Sequence, residues 1–215
     1  MRHPRQPLDC AMNANAPVNV FPLDHREAVS LRTRAFGHPG AVVWLTGLSG
    51  SGKSTIAREV ERRLLARGVH AFVLDGDNLR TGLSAGLGFS PEDRAEHNRR
   101  AGEAAALLAD AGVVVLCALI SPYAVDRARV RAIRPALFHE VFVDTPLAEC
   151  EARDPKGLYV KARRGEIRDF TGVSAPFEPP ATPDLRLATS GRAVDDCAAE
   201  VEAWLDRTVF AARAA

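Results

Sequence analysis

The chain has 215 residues, 47% of them apolar, and a formal net charge of +1, because 28 Lys and Arg are offset by 27 Asp and Glu. That length and apolar content suit a single α/β domain, and the balanced charge excludes the basic field that a long nucleic acid requires of its partner. The longest apolar run, Val113 to Ile120, is too short to span a bilayer, and Cys10, Cys117, Cys150 and Cys197 are too widely spaced for a disulfide framework or a zinc site. The expectations are therefore a cytoplasmic protein with no membrane and no nucleic-acid partner. Residues 1 to about 20 carry three prolines and three asparagines with little periodicity, which reads as a disordered tail, leaving 21–215 as the domain. From 41 onward the pattern predicts a strand at 41–46, a helix at 53–67 closed by Gly68, a strand at 69–74, a helix at 91–111 closed by Gly112 and a strand at 113–119. A helix near 123–134, a strand at 139–143, a short helix at 146–153, an apolar segment near 184–188 and a last helix at 194–210 follow. This βαβα alternation predicts a five-stranded parallel sheet with helices on both faces. In the last helix Val194, Ala198, Val201, Leu205 and Val209 recur at helical spacing and read as core. Residues 154–183 break the alternation, and their Lys156, Lys161, Arg163, Arg164 and Arg168 suggest a basic lid closing over phosphates.

The first predicted strand runs into Gly47-Leu48-Ser49-Gly50-Ser51-Gly52-Lys53-Ser54-Thr55, which carries the G-x-x-x-x-G-K-S pattern of a phosphate-binding loop. Such a loop turns backbone N–H groups toward a phosphate, and the following helix presents its positive dipole end to the same anion. Lys53 is placed to reach the β- and γ-phosphates of ATP, and the Ser54 hydroxyl to take one position on Mg²⁺. The flanking strand and helix are the context this motif requires.

The strand at 113–119 ends without the aspartate that motor and switch proteins use to organise Mg²⁺, so the carboxylate must come from elsewhere. Asp75-Gly76-Asp77-Asn78 follows the strand at 69–74, at the carboxyl edge of the sheet, where open α/β folds bind ligands. Asp77 can orient an acceptor hydroxyl or take its proton, and Asp75 can hold Mg²⁺ through water. Arg80, Phe89, Arg94, Arg99 and Arg100 come next. Guanidinium forks suit paired anionic oxygens, and an aromatic such as Phe89 offers a stacking face for a base, so the acceptor reads as a nucleotide.

These segments, together with Leu87-Gly88-Phe89-Ser90, Ile120-Ser121-Pro122-Tyr123, Arg153-Asp154-Pro155-Lys156-Gly157-Leu158-Tyr159 and Phe170-Thr171-Gly172, resemble the signature blocks of the adenylylsulfate kinase family, in order and at similar spacing from about 20 to 210. The resemblance implies a P-loop fold and transfer of the γ-phosphate of MgATP to the 3′-hydroxyl of adenosine 5′-phosphosulfate. It implies that Asp77 sits by the 3′-hydroxyl and that Arg80 and Arg94 engage the phosphosulfate. It further implies that Phe89 and Phe170 clamp the adenine, that Ile120 and Ser121 line its pocket, and that Lys156 approaches from the lid. A homodimer and functional coupling to an ATP sulfurylase belong to the same implication. The family's reading of Ser121 is a phosphoserine intermediate, whereas the residues supply no evident neighbouring base and direct in-line transfer needs only positioning and charge. One departure stands out: where the family has D-R-x-E-N-I-R-R, this chain has Asp93-Arg94-Ala95-Glu96-His97-Asn98-Arg99-Arg100, which puts His97 in the place of a substrate-contacting Asn. Another small P-loop kinase would share the loop and the lid without needing the Ile120-to-Tyr123 and Phe170-to-Gly172 blocks. A nucleotide-sensing module would have no use for both Lys53 and Asp77.

Overall fold

A computed structural model describes Leu23 and residues 25–211, so the tail expected over 1–20 and Cys10 lie outside the described residues. The strands are β1 (Ala41–Thr46), β2 (Ala71–Asp75), β3 (Val114–Ala118), β4 (Phe138–Asp144) and β5 (Leu185–Ala188), and all pair in parallel in the order β2-β3-β1-β4-β5. Central β1 is buried throughout, as a strand covered on both faces must be. Its side chains alternate between two cores. Val43 and Leu45 pack with Ile56, Val60 and Leu64 of α2 (Lys53–Ala66) and with Val201 and Leu205 of the C-terminal helix Val194–Leu205. Val42 and Trp44 pack on the other side with Ala101 and Ala105 of the long helix Pro91–Asp110 and with Val130 of Ala124–Arg131. The five-stranded parallel sheet with helices on both faces is therefore as the alternation predicts.

The remaining helices, in chain order, are α1 (Arg26–Phe36), α3 (Gly76–Arg80), α4 (Pro91–Asp110), α5 (Ala124–Arg131), α6 (Leu147–Arg153), α7 (Leu158–Arg163) and α8 (Val194–Leu205). Helix α4 begins with Pro91 in its first turn, and the Ser90 hydroxyl accepts from the Asp93 N–H at 3.1 Å, two start signals written in the sequence. Its buried face carries Arg94, His97, Asn98, Ala101, Gly102, Ala105 and Ala109, so small residues meet the neighbouring elements while polar ones extend the face beyond the sheet's edge. Gly102 permits the approach of α5: a Cβ there would lie 2.7 Å from Val130 Cγ1 and 2.9 Å from Ile133 Cδ1.

Four features differ from the sequence expectations. Helix α1 was not foreseen; it docks through Arg32 Nη1, which donates to the Asp110 carbonyl at 3.0 Å, and through Phe36, edge-on to His70 at 4.5 Å. Strand β2 runs on to Asp75, and Asp77 lies on the single turn α3, which Asp75 caps by accepting from the Asp77 N–H at 2.9 Å. Helix α8 ends at Leu205 and passes into a π-helical turn at Asp206–Phe210, while Val194, at the first position of α8, is 40% exposed and does not join the core. Residues 154–183 hold α7 and pack Tyr159, Ala162 and Phe170 in a small apolar cluster with Cys150 of α6, so this connection docks against the domain. The Asp154 carboxylate secures it by accepting from the N–H groups of Leu158, Tyr159 and Val160.

Candidate active site

The phosphate loop joins the end of β1 to α2. Gly50 and Gly52 adopt φ of 74° and 101°, values that an L side chain resists, and Lys53 opens the helix. The loop's carbonyls are taken from within: Lys53 Nζ donates to Leu48 O at 2.6 Å, the Tyr159 hydroxyl to Ser49 O at 2.9 Å and Thr145 Oγ1 to Ser51 O at 3.0 Å. The first N–H groups of α2 have no intrahelical partner, as in any helix, and so remain for an anion. Lys53 is buried, and burial pulls its ammonium down to about 8; Cys150, Asp75 and Asp77 oppose the shift and Lys156 adds to it. A bound phosphate supplies the negative charge that this buried cation lacks.

Ser54 Oγ donates to Asp75 Oδ2 at 2.5 Å, linking the start of α2 to the end of β2. The second oxygen of Asp75 caps α3, so both residues of the acid pair are fixed with respect to the loop. Lys156, from the turn between α6 and α7, donates to the Asp77 carboxylate.

A cationic and aromatic corner faces them. Arg80 Nη1 donates to Gly88 O at 2.7 Å, and its guanidinium lies 4.4 Å from the centre of the Phe89 ring. Arg94 Nε donates to Phe89 O at 2.9 Å, Nη2 donates to Asp169 O at 3.0 Å, and its guanidinium lies 5.5 Å from the same ring. Both arginines are held by carbonyls, and among the described residues neither forms an ion pair with a carboxylate. Burial lowers both pKa values, and Arg94 adds to the effect at Arg80. Two guanidiniums held by carbonyls rather than by ion pairs, beside the exposed Phe89 ring, make a place for an anion attached to a planar base. Arg99 and Arg100 do not join them: both pair with Glu96 on the outer face of α4.

His97 is buried beneath this corner. Burial, with Arg80 and Arg94 adding to it, brings its pKa down to about 4, so the imidazole is neutral at physiological pH. Its Nδ1 and the neighbouring Asn98 Nδ2 are buried without a hydrogen-bond partner. Ser121 has φ of 40°, and its Oγ accepts from Trp44 Nε1 and donates to Thr46 Oγ1, both at 3.0 Å. The Thr46 hydroxyl in turn donates to Ile120 O at 2.7 Å. No titratable side chain is hydrogen-bonded to Ser121 Oγ among the described residues.

The loop, the acid pair and the arginine corner open onto one cavity of about 900 Å³. Its wall holds the sequence candidates from Ser49 to Thr55, Asp75, Asp77, Arg80, Phe89, Arg94, His97, Ile120, Ser121, Lys156 and Phe170; Gly47 and Leu48 stand behind it. Phe170 is buried edge-on against Tyr159, with ring centres 5.0 Å apart, whereas Phe89 is open. The wall also contains Asn98, Arg153, Thr171, Thr189 and Arg192, which the sequence did not single out as site residues. Asn98 had a local signal in its place beside His97, and Arg153 and Thr171 stand in segments already singled out as signature blocks; Thr189 and Arg192 arrive after β5, far along the chain. Among the described residues no group of three His, Cys, Asp or Glu is placed to hold a metal. No described helix is long and apolar enough to cross a membrane.

A phosphate loop at the carboxyl edge of a parallel sheet, sharing its cavity with an acid pair and an unpaired arginine corner, defines a P-loop phosphotransferase. The comparisons with known proteins agree. The profile of the family described as adenylylsulphate kinase matches residues 39–188. The adenylyl-sulfate kinase of Marinobacter nauticus is 50% identical over 87% of this chain and 94% of its own length. The bifunctional enzyme NodQ of Azospirillum brasilense is 56% identical over 78% of this chain, which spans only 27% of that longer protein. The solved structure of the Mycobacterium tuberculosis APS kinase CysC, in complex with AMPPNP and APS, superposes with a TM-score of 0.75 at 56% identity over 79% of this chain and 99% of that one. The chain belongs to the adenylylsulphate kinase family and is an ATP-dependent kinase.

Proposed function

We propose that this kinase transfers the γ-phosphate of MgATP to the 3′-hydroxyl of adenosine 5′-phosphosulfate, giving 3′-phosphoadenosine 5′-phosphosulfate and ADP for sulfate activation. The observation that carries the reading is a single cavity whose wall holds the phosphate loop, Asp75 and Asp77, and the carbonyl-held Arg80 and Arg94 beside Phe89. The relative solved with AMPPNP and APS supports the same pair of ligands here.

In this reading Gly47 to Thr55 hold the ATP phosphates, and Lys53 meets the charge that grows on the γ-phosphoryl group. Asp77 orients the acceptor hydroxyl and takes its proton as the oxygen attacks phosphorus and the bond to ADP breaks. Arg80, Arg94 and His97 hold the phosphosulfate side, Phe89 and Phe170 the adenine, and Ile120 and Ser121 the floor of its pocket. Ser54 and Asp75 fit Mg²⁺: one hydroxyl and one carboxylate beside the loop suit an ion that keeps most of its waters and takes phosphate oxygens. Bound there, the ion would neutralise charge on the ATP phosphates. Residues 154–183 act as a basic lid that brings Lys156 over the reacting groups, and 21–215 form the kinase domain. A cytoplasmic homodimer working alongside an ATP sulfurylase completes the reading, and the longer bifunctional relative is consistent with such a coupling.

The test is kcat/KM with MgATP for adenosine 5′-phosphosulfate against AMP and other nucleoside monophosphates. The phosphosulfate anhydride engages both guanidiniums, and AMP leaves part of that donor array unpaired, so a large preference is expected, weakening in Arg80→Ala. Equal values for AMP and adenosine 5′-phosphosulfate in the wild type would overturn the reading.

A further inference from the structure

Arg127 does not line the large cavity, yet its guanidinium is buried and all three of its nitrogens are committed. Nε donates to Glu140 Oε1 at 2.7 Å, Nη1 to Ser121 O at 2.8 Å and Nη2 to Glu178 O at 2.7 Å. The three partners belong to separate pieces of the fold. Glu140 stands on β4, Ser121 on the turn after β3, and Glu178 on the segment that returns from Phe170 and Thr171 toward β5. That segment and that turn are also tied to each other: Glu178 N donates to Pro122 O at 2.9 Å, and the Glu178 carboxylate accepts from Ala124 N at 2.7 Å, at the start of α5.

Two walls of the cavity hang from this node. Ser121 holds φ of 40°, a left-handed conformation that a non-glycine residue keeps only where its surroundings over-determine it. Trp44 and Thr46 grip its hydroxyl, and Arg127 grips its carbonyl. Phe170 and Thr171 lie upstream of Glu178 on the strand of chain that Arg127 fastens at its far end. The planar guanidinium spreads its donors over three nitrogens and so spans a carboxylate and two separate carbonyls; an ammonium gathers its three donors on one nitrogen at the end of a flexible stem.

We propose that Arg127 is a positioning residue for the acceptor: it fixes the Ser121 turn and the segment after Thr171 against β4, so that the acceptor side of the cavity is formed before substrate arrives. The inference rests on the phosphotransfer reading above. Among the described residues Arg127 makes no hydrogen bond to the phosphate loop, whose carbonyls are held by Lys53, Tyr159 and Thr145, so its loss should act on the acceptor more than on the nucleotide.

Arg127→Lys keeps a cation opposite Glu140 but loses the fixed fork that holds both carbonyls from separate nitrogens. The expected result is a rise of about tenfold or more in KM for adenosine 5′-phosphosulfate, with the dissociation constant for a non-hydrolysable ATP analogue within about twofold of wild type. An unchanged acceptor KM overturns the inference. So does a parallel weakening of both ligands together with a lowered melting temperature, which is the signature of a merely structural residue. If Arg127→Lys does not fold, Glu140→Gln decides: it keeps an acceptor for Nε while removing the charge, and it should raise the acceptor KM by about threefold with nucleotide binding intact. An unchanged KM in that variant overturns the inference as well. Absence of turnover in the wild type is a different outcome, which removes the phosphotransfer reading and this inference with it.

Discussion

The Lys156 ammonium donates to the Asp77 carboxylate, joining the turn before α7 to α3 across 79 residues of sequence. Both side chains are more than half exposed, at 58% and 69%, and an ion pair so open to solvent adds little to stability. Its consequence is local: a cation from the 154–183 segment already rests on the acid assigned to the acceptor hydroxyl.

Asp77→Asn therefore leaves the fold and ATP binding intact and lowers turnover by ~10²-fold or more, the scale of a positioned acid or base. Steady-state kinetics beside nucleotide titration checks this. Asp75→Asn has a different profile, because it disturbs both the Ser54 hydrogen bond and the cap of α3. If Asp75→Asn proves the more damaging to turnover, the two acids exchange roles.

Lys53→Ala removes a charge aimed at the transferring phosphate and should cost about 3 kcal/mol or more of transition-state stabilisation, like other electrostatic deletions. The buried ammonium, with its pKa near 8, also sets a pH dependence. Below that value the free protein presents a cation to ATP; above it the amine is neutral and must take up a proton to bind, so affinity falls as pH rises through about 8. Nucleotide titrations across that range should show the decline in the wild type and not in Lys53→Met. A flat wild-type profile would contradict the assignment.

Ser121→Ala should retain measurable activity, because the Ser121 hydroxyl is engaged by Trp44 and Thr46 and has no general base beside it. Incubation with γ-labelled ATP in the absence of acceptor should leave the protein unlabelled. Stoichiometric, chemically competent labelling of Ser121 would establish a covalent intermediate instead.

His97 governs an acid limb of stability. Its pKa is about 4 in the folded chain against the ordinary 6.5, so the unfolded chain takes up a proton in this window while the folded one does not. The stability associated with neutral His97 is present above 6.5 and lost as pH falls toward 4. His97→Asn should lose less melting temperature between neutral and acidic pH than the wild type, as followed by calorimetry. The same variant should turn over adenosine 5′-phosphosulfate as well as the wild type or better; a large loss would give the imidazole a contact that Asn cannot make.

The chemistry of phosphate binding was legible in the sequence because it is local. The Gly47-to-Thr55 loop needs only a strand before it, a helix after it and glycines free to take positive φ, and the alternation of apolar and amphipathic runs predicted the five parallel strands and both helical layers. Ser90 and Pro91 marked the start of α4 for the same reason. Helix α1 carried no such mark: the residue before it, His25, makes no side-chain cap, and the helix is held by Arg32 and Phe36 against elements distant in sequence. Val194 matched the core stripe of α8, but it stands half-exposed on the wall of the cavity, and periodicity does not say where a neighbour ends. The order β2-β3-β1-β4-β5, the meeting of Lys156 with Asp77, the burial of Phe170 on Tyr159 and the three carbonyl and carboxylate partners of Arg127 were decided by tertiary structure alone. Each joins groups separated along the chain, and their encounter depends on how two layers of helices close on one sheet, which no local pattern of residues encodes.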